Sequence, residues 1–402
     1  MEQLTRVLRR HRRRVGKKGD GFVKLFISKR LIQGAATAIL GIFVPIFLYE
    51  TAGEQFYVVG IYYAILSLLY VFLLVPGMFI ANRLGFSRSL VLGGIFSVIL
   101  YSMMYFLDAD NIWYILPPLA LVIVGFRIFH WVPYHVDFTK FTTDGERGRQ
   151  VSLSFATIAF MGVIGPILAG FIISRAGYDA LFATAVALLI AATVSYAFVP
   201  ETRTKYTWSN KKTWKMLFAK ETRGLTVGEF ANGMEVVVST LVWPIFLYEI
   251  LDGDVFEIGA VSTIVVGATI VIQLMLGKHL DKGSDSKART LKIGSSLYAL
   301  GWIFKIFVLS AAQVFFVGLY HNIVKIFTKT PFQAILYDMS AEQGRYIDEY
   351  TVMREMAGHS GRTLALLAVA ALSFYIPIGW TFVIAAVASI ALNMVYRLEV
   401  QG

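Results

Sequence analysis

Four apolar stretches of this chain carry ionisable or hydrogen-bonding residues at helical spacing. One holds Glu229, Asn232, Glu235 and Ser239, whose steps of three or four residues place most of them along one helix face. A second holds His321, Lys325 and Thr328 at i, i+4 and i+7, with Asn322 beside them. A third carries Arg127, His130 and Tyr134, and a fourth, more sparsely, Gln33 and Thr37. A charged side chain at the centre of a helix in lipid costs about 2.5–3.5 kcal/mol, and such groups persist where they pair or line a wet cavity. The chemistry open to these residues is binding a polar or charged solute and taking up and releasing a proton.

The elements that must position them follow from composition. The chain has 402 residues, 57% hydrophobic and 16% charged, with mean hydropathy +0.65. A water-soluble domain of this size needs more polar residues to cover its surface, so the surplus apolar residues face lipid. In lipid the backbone must satisfy its own hydrogen bonds, which selects helices of roughly 20 residues. Apolar runs fall at about 25–49, 56–81, 89–107, 111–134, 150–174, 178–199, 226–249, 256–280, 290–310, 313–336, 356–375 and 377–397. They show none of the alternation of a membrane barrel. The expectation is an all-α integral membrane protein with twelve transmembrane helices in two six-helix bundles.

The bundles are copies of one another. Pro45-Ile46-Phe47-Leu48-Tyr49-Glu50 recurs 199 residues later as Pro244-Ile245-Phe246-Leu247-Tyr248-Glu249. The same offset carries Gln33 onto Asn232, Gly34 onto Gly233, Gly60 onto Gly259 and Arg83 onto Lys282. With an offset of 198, Arg127 falls on Lys325 and Pro133 on Pro331, so each half places a cation on its fourth helix. The chain divides into a basic tail over 1–24, a first bundle over 25–200, a linker over 201–223 and a second bundle over 224–402. The linker carries Lys205, Lys211, Lys212, Lys215, Lys220 and Arg223 with Trp208 and Trp214. That composition suits an amphipathic helix at headgroup level, serving as a tether or, in a second reading, as a lipid sensor.

Net charge is +11, but the basic residues lie in connections between apolar runs, where they report orientation in the bilayer instead of nucleic-acid binding. Arg83, Arg88, Lys140, Arg147 and Arg149 lie on the side of the tail and linker, whereas Glu50, Glu54, Asp108, Asp110, Asp252 and Asp254 lie on the other. The positive-inside rule then puts both termini in the cytoplasm of a multi-pass plasma (cytoplasmic) membrane protein. Cysteine is absent, the six histidines are scattered and no P-loop occurs, so neither metal, cofactor nor enzymatic chemistry is expected. The protein is expected to work as a monomer.

Three fragments resemble motifs of the major facilitator superfamily. Asn82-Arg83-Leu84-Gly85-Phe86-Ser87-Arg88 and Gly277-Lys278-His279-Leu280-Asp281-Lys282-Gly283 are similar to its loop motif Gly-x-x-x-Asp-Arg-x-Gly-Arg-Arg, found between helices 2 and 3 and again between 8 and 9. The second copy keeps Gly277 and Asp281, with Lys282 for Arg; the first has Asn82 for the acid and Met78 for the first Gly. Arg127-Ile128-Phe129-His130-Trp131 is similar to the helix-4 pattern Arg-x-x-Gln-Gly in its arginine alone. Gly165-Pro166-Ile167-Leu168-Ala169-Gly170 resembles the Gly-Pro-x-x-Gly-Gly core of antiporters, with Ala169 in place of one Gly. The resemblance implies that helices 1, 4, 7 and 10 line a central cavity, and all four polar stripes lie on those helices. It also implies secondary active transport of a small organic solute by alternating access. The expected cavity residues are Gln33, Thr37, Arg127, His130, Asn232, Glu235, His321 and Lys325; the expected cytoplasmic gate is Glu229, Asp281, Lys282, Arg83, Asp137 and Asp338.

Helical rise puts Lys325 roughly 18 Å into its helix from outside and Glu235 roughly 14 Å from the cytoplasmic start of its own, so the two can meet near the midplane. Burial raises the proton affinity of a glutamate and a nearby cation lowers it, so changing the distance to Lys325 would load and release a proton and couple it to the solute. The same pair can also act as a fixed clasp between helices 7 and 10. The Gly165-Pro166 fragment leans towards proton-coupled export. Paired cations favour uptake of a sugar, amino acid or organic anion. Sodium as the coupling ion, and a non-transporting receptor or scaffold on the same fold, stay open. Lys305 is expected to snorkel to the headgroups. Glu355, His359 and Arg362 are expected to start helix 11 and form closing salt bridges at the cytoplasmic face.

Overall fold

The computed structural model describes residues 19–142, 147–202, 206–280, 287–341 and 347–395. Among them the chain forms twelve long helices: α1 (Gly19–Thr51), α2 (Phe56–Leu84), α3 (Phe86–Tyr105), α4 (Ile112–Phe141), α5 (147–176), α6 (178–196), α7 (Lys220–Ile250), α8 (Val255–Leu280), α9 (Lys287–Ile306), α10 (Ala311–Ala341), α11 (Ile347–Leu372) and α12 (Ile378–Ala391). Gly177, at φ 76°, makes the sharp corner between α5 and α6 that a residue with a Cβ would strain. The protein is a multi-pass membrane protein. Seven helical stretches, α1 to α8 with α5 and α6 fused, are long and apolar enough to cross the hydrocarbon on their own. The polar helices cluster in the second half, where α9, α10 and α11 carry Lys292, Lys305, Lys325, Lys329, Arg354 and Arg362.

The two six-helix halves face each other through α2 against α11 and α5 against α8. Glycine sets how closely these helices approach. A Cβ on Gly170 would sit 2.6 Å from the Val255 carbonyl oxygen, and one on Gly259 would overlap the Pro166 carbonyl, so α5 and α8 touch backbone to backbone. Gly165 turns instead towards α1, where a Cβ would come within 2.5 Å of the Ala38 carbonyl. In the second half Gly233 lies against the Gly358 carbonyl and Gly361 against that of Phe230, locking α7 to α11.

The linker helix Asn210–Leu217 is capped by Ser209, whose Oγ accepts the Lys212 amide at 3.2 Å. Trp214 stacks near Phe72 of α2, and both the amide and the hydroxyl of Thr207 donate to Glu349 of α11 at 2.7 Å. The linker therefore bridges the two halves, touching the middle of α2 and the first turn of α11.

These contacts rank the glycines. Gly233→Ala should destabilise the purified protein by about 1–3 kcal/mol, because the neighbour it meets is backbone and cannot give way. Gly162→Ala, whose Cβ would meet only Val266 at 3.8 Å, should stay within about 0.5 kcal/mol of the parent. Thermal unfolding followed by size-exclusion chromatography separates the two outcomes.

Candidate functional site

The repeated Pro-Ile-Phe-Leu-Tyr-Glu segment shapes the centre of the molecule. Pro45 has no N–H to offer the carbonyl of Gly41, four residues earlier, and Pro244 has none for that of Thr240. Both helices lose regularity there: Gly41 has ψ −86°, and Val238–Val242 is a π-helical turn. Gly41 and Thr240 are equivalent under the 199-residue repeat, and both line a cavity of about 230 Å³ between the halves. The distal ends of the same segments seal one side of it. The Tyr49 hydroxyl donates to Glu249 Oε1 at 2.7 Å, and the rings of Tyr49 and Tyr248 meet edge to face at 6.1 Å.

The cavity draws Thr37, Gly41 and Pro45 from α1, Tyr63 and Ser67 from α2, Tyr101 from α3, Arg127 from α4, Thr240 from α7 and Arg362 from α11. Two guanidinium groups enter it, and its lining holds no carboxylate among the described residues. Arg127 Nη1 and Arg362 Nε are buried without a hydrogen-bond partner. Arg362 makes a 3.4 Å contact with His359 Nε2 and feels the charge of Glu355 on the same helix, whose carboxylate accepts from the Trp131 indole at 3.2 Å and lies 3.9 Å from His359. An orphaned arginine nitrogen in a closed site carries a large desolvation cost, and an anionic group relieves it by forming charge-assisted, bidentate hydrogen bonds.

A second cluster lies entirely within the C-terminal half and is closed upon itself. Arg354 pairs with Glu229 Oε1 at 2.6 Å and also reaches Gln333. The Asn232 amide donates to Glu229 Oε2 at 3.0 Å and accepts from Lys329 at 2.6 Å. Lys329 forms an ion pair with Glu235, whose other oxygen accepts from Tyr298 at 2.6 Å. Acid and base thus alternate along α7, α9, α10 and α11.

Several expected positions are revised. The hydrogen-bonded ion-pair partner of Glu235 is Lys329, one helical turn beyond Lys325; Lys325 makes no hydrogen bond or ion pair with the described residues but lies near enough for its charge to act on Glu235. Helix α11 starts at Ile347 and not near 356, because its first turns are polar, so Arg362 stands roughly 22 Å inside the helix instead of at its mouth. The π turn in α7 rotates the face so that Thr240 lines the cavity and Ser239 does not. Gln33 is 2% exposed and turns to α6, where it accepts from Tyr196 at 2.5 Å. His321 is buried between the rings of Tyr298 and Trp302. Lys305 does not snorkel: it is 3% exposed, with its ammonium 3.9 Å from the Trp243 ring centre and 4.3 Å from that of Trp302. Of the expected cavity residues, Thr37 and Arg127 line the cavity; Asn232 and Glu235 belong to the charge chain; His130 lies on α4 against Lys29, at 2.8 Å.

Of the expected gate, Glu229 is held by Arg354, and Arg83 sits in the last turn of α2. Asp281 and Lys282 lie outside the described residues, as does the side chain of Asp338 on α10. Asp137 lies beyond the spanning part of α4, which ends at His135, and it is fully buried, accepting from Thr202 of the linker region through Oδ1 while Oδ2 has no partner. Burial pushes its carboxyl up to about 7, against the opposing pull of the Thr202 hydroxyl and Lys140.

Two measurements follow from these environments. A carboxyl whose affinity for protons is raised by folding stabilises the fold at low pH and loses that contribution as pH rises towards about 7. Asp137→Asn should therefore raise stability at pH 8, by as much as about 4 kcal/mol, and leave it nearly unchanged at pH 4. In the closed charge chain, Lys329→Met strands Glu235 and should cost about 3–5 kcal/mol, while Lys325→Met should be close to neutral. Equal losses for the two lysine variants would contradict the assignment of the pair.

Comparison with known proteins agrees with this geometry. The sequence pattern of the Major Facilitator Superfamily matches residues 25–357. A relative in Bacillus subtilis (strain 168), "Uncharacterized protein YqgE", is 25% identical over 259 residues; the match spans 62% of this chain and 59% of that protein's length. Two solved structures share the fold. A POT family transporter in complex with 5-aminolevulinic acid superposes with TM-score 0.64 at 12% identity, covering 96% of this chain and 95% of that one. The peptide transporter POT in complex with sulfate gives 0.67 at 10% identity, covering 95% of both chains. The chain belongs to the major facilitator superfamily.

Proposed function

We propose that this protein is a secondary active transporter that carries a small solute bearing an anionic group across the plasma membrane by alternating access. The observation that carries this reading is the pair Arg127 and Arg362: two half-buried cations from opposite halves, each with one buried nitrogen unpartnered, lining one cavity that offers no carboxylate among the described residues. A ligand that neutralises both would draw the halves together around it, which is the differential binding that a rocking equilibrium requires. The volume, about 230 Å³, lies below the roughly 300–1,000 Å³ usual for drug-sized ligands and fits a compact solute. Tyr63, Tyr101, Thr37, Ser67 and Thr240 supply hydroxyls for its neutral part. Structures sharing the fold hold 5-aminolevulinic acid in one case and sulfate in another, which is in keeping with an acidic ligand.

Proton-driven uptake is the direction we favour. Bringing one negative charge into a cell held at about −100 mV costs roughly 2.3 kcal/mol, and a co-transported proton offsets it. Glu235 is the carboxylate placed to carry that proton, because it is fully buried and its counter-ion is a lysine on a different helix. The lean to export rested on the Gly165-Pro166 fragment, whose glycines serve close packing, Gly165 on α1 and Gly170 on α8. The basic N-terminal tail and linker favour the cytoplasmic side for those segments, with the linker at 201–223 joining the two bundles that would rock against each other.

A screen of small organic acids by thermal shift identifies a ligand. Arg127→Gln and Arg362→Gln should each weaken it by about ten- to a hundredfold, and Glu235→Gln should abolish pH-driven uptake into proteoliposomes while leaving exchange of the solute intact. Unchanged affinity in both arginine variants contradicts the anion site; unchanged pH-driven flux in Glu235→Gln rejects that residue as the proton carrier.

A further inference from the structure

Two cations on α1 take no part in the central cavity. Lys29 and Arg30 are half-buried and lie in a π-helical turn, Ile27–Ile32, a distortion that recurs where helices do functional work. The wide turn directs both neighbours towards α4. Lys29 Nζ is 2.8 Å from His130 Nε2, 5.4 Å from the Tyr134 ring centre and 5.9 Å from that of Trp131. The Arg30 guanidinium lies 5.1 Å from the Tyr134 ring centre. None of the described carboxylates pairs with either cation: Glu355 is engaged by Trp131, Asp137 by Thr202, Glu229 by Arg354 and Asp20 by Lys24. Arg30 Nε and His130 Nδ1 are buried without partners, and His130 is 1% exposed. Two adjacent positive groups resting on an imidazole and aromatic faces form a site whose missing component is negative charge.

The geometry points to a second anion-binding site built from Lys29, Arg30 and His130, a waiting station between the central cavity and the end of the molecule opposite the Tyr49–Glu249 seal. His130 is one turn from Arg127 on α4, and Lys29 precedes Thr37 by about 12 Å along α1. An anion released by one set of cations is therefore captured by the next within a step of that length. The ligand class is a small oxyanion: a carboxylate, sulfate or phosphate. Its role as a relay rests on the central cavity being an anion site, but the station itself stands on its own residues.

The test uses the full chain labelled with fluorotryptophan, with sodium sulfate as the probe against sodium chloride at constant ionic strength. Trp131, assigned by its loss in W131F, reports on the station because its ring lies beneath Lys29. Sulfate should shift the Trp131 fluorine resonance saturably in the parent and in R127Q/R362Q, and K29Q/R30Q should need about tenfold more sulfate or show no shift. No Trp131 shift in the parent overturns the proposal whether or not K29Q/R30Q folds. So does a shift that survives in K29Q/R30Q and vanishes in R127Q/R362Q. An unaltered thermal response to sulfate in R127Q/R362Q, with the Trp131 shift intact, would reject the central site alone.

Discussion

The constraint on which this structure turns is the cost of holding arginine nitrogens in a low-dielectric interior without hydrogen-bond partners. Arg127 and Arg362 stand on opposite halves, with guanidinium nitrogens buried and unsatisfied. A protein that needed only to fold would replace them with apolar residues or supply a carboxylate, since a broken or missing pair in such surroundings is strongly unfavourable. Their persistence is understandable if the missing charge arrives with a ligand. The repeated proline segment provides the room: Pro45 and Pro244 interrupt their helices at equivalent places, and the residues left without a helical amide partner, Gly41 and Thr240, form part of the wall.

Both halves of the repeat hold interior cations without a salt-bridged carboxylate among the described residues, and the C-terminal half adds a charge chain of its own. In the C-terminal half, Arg354, Glu229, Asn232, Lys329, Glu235 and Tyr298 satisfy each other in sequence, while Lys305, Lys325 and Arg362 stand outside that chain. In the N-terminal half the interior cations Lys29, Arg30 and Arg127 have no carboxylate partner among the described residues. Both halves therefore hold interior positive charge, and the C-terminal half also holds a carboxylate, Glu235, whose counter-ion sits on another helix.

Much of the architecture was legible in the sequence because it depends on long-range regularities. Segment length and polarity give the twelve helices, and the 199-residue repeat gives the two halves and, through Pro45 and Pro244, the place where they diverge from ideal helix. Arg127 stood out as a lone cation in an apolar run. What could not be read depends on register. Arg362 looked like a helix-start residue because the first turns of α11 are polar. Lys329 was masked by Lys325, its neighbour one turn away, since helical rise alone does not choose between them. The π turns at Ile27–Ile32 and Val238–Val242 leave no compositional mark, yet they decide that Lys29 and Arg30 both meet α4 and that Thr240 faces the cavity. Lys29-Arg30 within the run 25–49 was the one signal that could have exposed the first of these.

The most direct test of the central claim is a crystal of the full chain soaked in sodium selenate and examined at the selenium absorption edge. The account predicts an anomalous peak between the halves, within hydrogen-bonding distance of both the Arg127 and Arg362 guanidinium groups. Selenate bound elsewhere with no peak there, or either guanidinium found paired with a carboxylate of the chain, would contradict it.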